Sequence, residues 1–148
     1  MYKDALRAAW AEINITNLDF NIKQIKEKVG SGVKITGVVK ADAYGHGSVR
    51  VATVLRANGI ESFAVATLSE AVRLRKAGFL LEEIMVLSPI PEPYIDTIIE
   101  HRLSPVVCDY KNAEAISKAA AAAGIIIKGY IAVDTGMSRI GIRPDDEG

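Results

Sequence analysis

Lys40 is the residue whose type and place most invite chemistry. It follows a largely apolar run, "ITGVV" (35–39), and opens the stretch "KADAYGHG". A side chain at the end of a buried strand is partly desolvated, which disfavours an ammonium ion relative to the free amine. A free amine can attack a carbonyl carbon and condense to a Schiff base. Tyr44 supplies a phenol suited to hydrogen-bonding an anionic group. Gly45 and Gly47 let backbone come close to a bound molecule. His46, between them, reads as a structural hydrogen bonder. Asp42 reads as a loop or helix-start residue with no assigned chemistry. Against this stands the common case, a solvated lysine at a strand terminus. These residue types alone go no further than compatibility with a Schiff-base lysine near an anion, and they leave the ligand open.

A second stretch, "VDTGMSRIGIRP" (133–144), carries Arg139. A guanidinium offers a planar fork of donors that suits a phenolic oxygen or a carboxylate. A lone arginine is more commonly a surface ion-pair partner. Asp134, Thr135, Gly136 and Met137 read as the residues that shape a turn at a strand end.

Both stretches must be positioned by the elements around them. Apolar strand patterns lie near residues 37, 64, 85, 105 and 129, and an amphipathic helix fills each interval. A further strand is read over 8–15. The first helix is read over 18–29 with Thr16 and Asn17 as caps, the third with Ser69 as a possible cap, and the last with Asp109 as its cap and Gly124 as its stop. This alternation predicts an α/β fold with a parallel sheet. Two architectures share the pattern. An open doubly wound sheet usually shows a glycine-rich phosphate turn after its first strand, and "GxGxxG" is absent. A TIM-type barrel needs eight strand–helix units, and about five are visible. The expectation is an incomplete β/α barrel, with residues 1–148 as its N-terminal part. The competing reading is a complete small open domain.

Composition narrows the function classes. The chain has 148 residues, 49% hydrophobic and 24% charged, which is ordinary for a globular domain. Its 18 basic residues balance its 18 acidic ones, so nothing favours nucleic acid or an anionic membrane as partner. One cysteine, Cys108, rules out an intrachain disulfide and fits a reducing cytoplasm. No signal peptide is visible, and no apolar run approaches the roughly 18 to 20 residues of a spanning helix. A small cytosolic protein is the default.

Together, "VVKADAYGHG", "WAEINITNLDFNI" upstream and "VDTGMSRIGIRP" resemble the pyridoxal-phosphate-dependent alanine racemase family, in the right order and across essentially the whole chain. The resemblance implies a TIM-type barrel that continues well beyond this length into a C-terminal β-domain. It implies that Lys40 holds pyridoxal 5'-phosphate as an internal aldimine and then serves as one of two proton-transfer groups, the base for D-alanine. By the same resemblance Tyr44 binds the cofactor phosphate. Arg139 meets the phenolic oxygen and reaches toward the substrate carboxylate. The second base is a tyrosine from the partner subunit of a homodimer, so residues 1–148 alone are expected to be inactive. The product would be D-alanine, a peptidoglycan precursor, although alanine, serine and broader amino-acid substrates stay open. Relatives that bind the cofactor without a known reaction, and Schiff-base lyases, are the alternatives.

Two positions depart from the family pattern. Ser138 stands where glycine is frequent. Ala132 stands where many members carry a carbamylated lysine that orients the arginine. Lys128 has the same strand parity but lies roughly 13 Å away along a strand. No carbamylated lysine is therefore expected.

Overall fold

The computed structural model describes residues 10–143. Helix α1 (Ile15–Val29) leads into β1 (Gly37–Val38), the short α2 (Lys40–Tyr44) and α3 (Ser48–Ala57). The alternation continues through β2 (Ser62–Val65), α4 (Leu68–Lys76), β3 (Glu83–Val86) and α5 (Ile95–His101). It closes with β4 (Ser104–Val107), α6 (Tyr110–Ala122) and β5 (Tyr130–Ile131). A 3-10 turn, Glu92–Tyr94, precedes α5 and carries Pro93 at its start, where a missing N–H costs least.

The strands pair in parallel in the order β1-β2-β3-β4-β5. A doubly wound sheet would reverse its order at a switch point. Consecutive helices also touch side by side: α1 with α3, α3 with α4, α4 with α5, and α5 with α6. One continuous helix layer on a sequentially ordered parallel sheet is the arrangement of successive β/α barrel units. This decides between the two architectures left open by the alternation.

Side-chain alternation fixes which face is which. Gly37 and Val39 are buried while Val38 is exposed, and Ile84 and Val86 are fully buried. Val39, Ile84 and Val86 belong to the same core as Leu55, Leu74, Phe79 and Ile98 from the helices and their loops. Phe63 and Phe79 meet edge to face, centroids 5.3 Å apart, a geometry worth about 1 kcal/mol beyond area burial. The other strand face carries Val38 and, one step on, Lys40.

Several expectations need correction. Trp10–Asn14 forms no strand; residues 8 and 9 lie outside the described part. Helix α1 begins earlier than its apolar period indicates, because the Asn14 side chain accepts the Asn17 N–H at 3.0 Å and serves as N-cap in place of Thr16 or Asn17. The cap of α4 is Thr67, not Ser69, and it forms a reciprocal capping box with Glu70. Asp109 caps α6 as expected, accepting from the Asn112 N–H at 2.8 Å. The strands are shorter than their apolar runs. Sequence marks burial, whereas a strand extends only where a neighbour offers paired backbone groups.

Candidate active site

Lys40 is half-buried at the C-terminal end of β1. The chain then does something that apolar periodicity cannot reveal. Ala41, Asp42, Ala43 and Tyr44 all have φ of 51–53°, so α2 is a left-handed turn built from non-glycine residues. Such geometry costs roughly 1–2 kcal/mol per residue, or roughly 4–8 kcal/mol over four. Gly45 and Gly47, each with φ 86°, bring the chain out of it. The space around a Cβ at Gly45 is open, so that glycine is needed for its backbone conformation and not for close approach.

Hydrogen bonds hold the turn in place. The Asp42 carboxylate accepts the Ser48 N–H at 2.9 Å, the Ser48 hydroxyl at 3.0 Å and Arg73 at 3.2 Å. The Ser48 N–H is the foremost reason that this carboxyl titrates below its ordinary value. The Asp42 carbonyl accepts the Gly45 and Gly47 N–H groups. His46 donates through Nδ1 to the Ala43 carbonyl at 2.9 Å, the structural role its position indicates. Strain this concentrated makes a signed prediction. Ala41 is exposed, and glycine at φ 51° removes the Cβ penalty. Ala41→Gly should stabilise by about 0.5–1 kcal/mol, where the same change in a right-handed helix would cost about that much. A fall in the thermal midpoint would contradict a left-handed turn.

The second motif folds into an equally local device. Asp134 is buried, and its Oδ1 accepts the Gly136 and Ser138 N–H groups, each at 2.9 Å. Those bonds, the Ser138 one foremost, hold the carboxyl below its ordinary value. The Asp134 N–H donates to the Ile142 carbonyl at 2.9 Å, which folds the loop back on itself. Gly141 permits this, because a Cβ there would lie 2.8 Å from the Asp134 nitrogen. Ser138 has φ 55°, a conformation that glycine adopts without strain. Arg139 follows directly.

Lys40 and Arg139 share one open cleft of about 510 Å³. Its lining comes from all five strand ends, including Ala66 after β2, Leu87 after β3, Val106 of β4 and Ala132 after β5. Barrels place their sites at this end of the sheet. Tyr44 does not line the cleft; it stands 72% exposed on the turn that follows Lys40. Tyr130 is among the lining residues, and its hydroxyl donates to Glu83. Glu83 also receives Lys34 and Lys128, each at 2.8 Å. Lys128 thus belongs to a cluster at the start of β3, and at Ala132 the cleft wall carries only a methyl group.

Sequence reasoning missed Glu70 and the Glu83 cluster. Glu70 had a legible signal, the pattern "TLSE" (67–70), a Thr-x-x-Glu capping box. Glu83 had none, because its partners come from segments 49 and 45 residues away in sequence.

A family model described as alanine racemase, N-terminal domain, matches residues 13–148. The chain belongs to the alanine racemase family. It is 48% identical over 139 residues to an alanine racemase of Clostridium kluyveri, covering 94% of this chain and 35% of that protein. It is 46% identical over 142 residues to alanine racemase 1 of Clostridium acetobutylicum, covering 96% and 36%. Among solved structures, an alanine racemase of Clostridium difficile 630 superposes with a TM-score of 0.90 at 35% identity, covering 97% of this chain and 37% of that one. The chain therefore spans little more than a third of the length of these alanine racemases. Among the described residues no helix is long and apolar enough to cross a membrane.

Proposed function

We propose that the protein to which this chain belongs interconverts the two antipodes of a small amino acid, alanine foremost, with pyridoxal 5'-phosphate as cofactor. The observation that carries this reading is the shared cleft of Lys40 and Arg139 at the C-terminal strand ends. The donor set fits the cofactor. An amine can bond an aldehyde, a guanidinium can face a phenolate or carboxylate, and aliphatic walls such as Leu87, Val106 and Ile140 suit a flat ring. The volume lies within the usual range for cofactor sites. When bound, the cofactor acts as an electron sink that stabilises negative charge at the substrate α-carbon.

The chain's own residues supply the rest. Lys40 holds the cofactor and, once released, gives or takes a proton at the α-carbon from one face. Arg139 holds an anionic oxygen and so fixes the plane in which the α-carbon lies. Tyr44, beside the glycine turn, binds the phosphate, and its exposure leaves it free to reach an anion. Inversion requires a second proton-transfer group on the opposite face. Tyr130 is the phenol in this lining, and its hydroxyl is committed to Glu83. By resemblance to the family, the second group is a tyrosine from the partner subunit of a homodimer, and the protein is read as cytoplasmic. Residues 1–148 alone should then be inactive.

The test is exchange of the alanine α-hydrogen in deuterated water, run on the full-length protein and on residues 1–148. Exchange and inversion by the full-length protein alone are expected. Cofactor binding without exchange in the full-length protein would replace the racemase reading by a carrier. Inversion by residues 1–148 at the full-length rate would refute the assignment of the second group to another subunit.

A further inference from the structure

Glu70 makes more bonds than a helix cap needs. Its Oε2 accepts the Ala66 N–H at 2.7 Å and the Thr67 N–H at 3.1 Å, which secures the start of α4. Its Oε1 accepts the Ala41 N–H at 2.7 Å, from a residue 29 positions earlier. That N–H belongs to the peptide immediately after Lys40. One half-buried carboxylate thus ties the backbone next to Lys40 to the turn that carries Ala66, and Lys40 and Ala66 both line the cleft.

We propose that Glu70 is a positioning residue for Lys40: it pins the Lys40–Ala41 peptide where the chain passes from β1 into the left-handed turn, and so keeps the amine over the cleft. This rests on the reading of Lys40 as the cofactor-holding residue. The need for a pin follows from the strain. Four successive non-glycine residues at positive φ relax toward right-handed geometry unless bonds oppose it. Asp42, with Ser48 and Arg73, holds the middle of the turn. Glu70 alone among these groups bonds the residue adjoining Lys40. A rotation of that one peptide would swing the lysine side chain away from the other strand ends.

The experiment uses the full-length protein stripped of cofactor, with Glu70→Gln, Glu70→Ala and Thr67→Ala compared with the parent. Thr67→Ala weakens the same helix cap but leaves the Ala41 bond intact. Two quantities are read: hydrogen exchange at the Ala41 amide, and the pH-dependent rate at which the Lys40 amine condenses with pyridoxal 5'-phosphate, losing one water, trapped by borohydride reduction. Hydrogen bonds to charged groups predict that Glu70→Gln lowers Ala41 protection by roughly 10- to 100-fold. Condensation should slow by roughly tenfold or more with an altered pH profile, and Glu70→Ala should match or exceed this. Thr67→Ala should lower thermal stability and leave both readouts at the parent level. Parent-like rates and Ala41 exchange in the Glu70 variants would overturn the proposal. Equal slowing in Thr67→Ala would overturn it too, by showing that Glu70 acts only through the helix. No condensation at Lys40 in the parent would sink the cofactor reading and the positioning role together. Ala41 exchange would then show whether Glu70 is a structural clamp.

Discussion

Lys40→Ala in the full-length protein should abolish covalent attachment of pyridoxal 5'-phosphate and lower the racemisation rate by at least about 10³-fold. Two losses combine. In the proposed function the amine is both the attachment point and the proton carrier on one face of the α-carbon; acid–base groups contribute roughly 10²- to 10⁴-fold by themselves. The fold should survive. Lys40 is half-buried and is not among the residues with positive φ, so alanine fits its backbone. Far-ultraviolet dichroism should be unchanged and the thermal midpoint nearly so. The loss should also be asymmetric. If Lys40 serves the D antipode, exchange of the D-alanine α-hydrogen should fall further than that of L-alanine. Small primary amines such as methylamine should restore part of the rate, because they fit the space vacated by the side chain. A variant that still forms a borohydride-reducible link to the cofactor would show that another lysine holds it. Equal loss from both antipodes with no amine rescue would point to an anchoring role without proton transfer.

How much of this was legible beforehand differs by residue. The five strands and the helices between them follow from apolar periodicity, because burial on one face is what both the pattern and the fold record. Lys40 and Arg139 were legible by resemblance, and the cleft brings them together at the strand ends. The left-handed turn was not legible. Ala41, Asp42 and Ala43 are ordinary in composition, and only Gly45 and Gly47 hinted at unusual backbone. Positive φ at four non-glycine residues is imposed by tertiary bonds from Glu70, Ser48 and Arg73, which lie 6 to 31 residues away in sequence. Strand lengths were overestimated for a related reason. Ile35 is partly buried and packs on the core yet lies outside β1, where pairing with β2 covers only Gly37 and Val38. Ala132 was legible as an absence, and the structure adds where Lys128 goes instead.

That destination yields the second large effect. Glu83 has a side chain only 13% exposed, and burial by itself would push its carboxyl above the ordinary 4.5; hydrogen bonds from Lys128, Lys34 and Tyr130 outweigh burial and hold it at about 2. A carboxyl with a lower pKa in the folded state binds protons more readily when unfolded. Its stabilisation is therefore complete above the unfolded value near 4.5 and is lost as pH falls toward about 2. The size is at most about 3 kcal/mol. Lys34 and Lys128 are 63% and 59% exposed, so solvent screening brings the expected figure down to about 1–2 kcal/mol. In the full-length protein, Glu83→Gln should be destabilised by that amount at pH 7, and the difference from the parent should shrink as pH drops, nearly vanishing by about pH 2. Measuring the difference cancels the acid sensitivity of every other carboxylate. High salt should reduce the effect without removing it, because the buried carboxylate is shielded less than the lysine ends. A difference that stays constant from pH 7 to pH 3 would mean that packing, not charge, is what glutamine disturbs. The consequence reaches the cleft through Tyr130, a lining residue whose hydroxyl bonds to Glu83. Glu83→Gln should therefore loosen the cleft lining as well, and a double-mutant cycle with Tyr130→Phe should show the two changes to be coupled rather than additive.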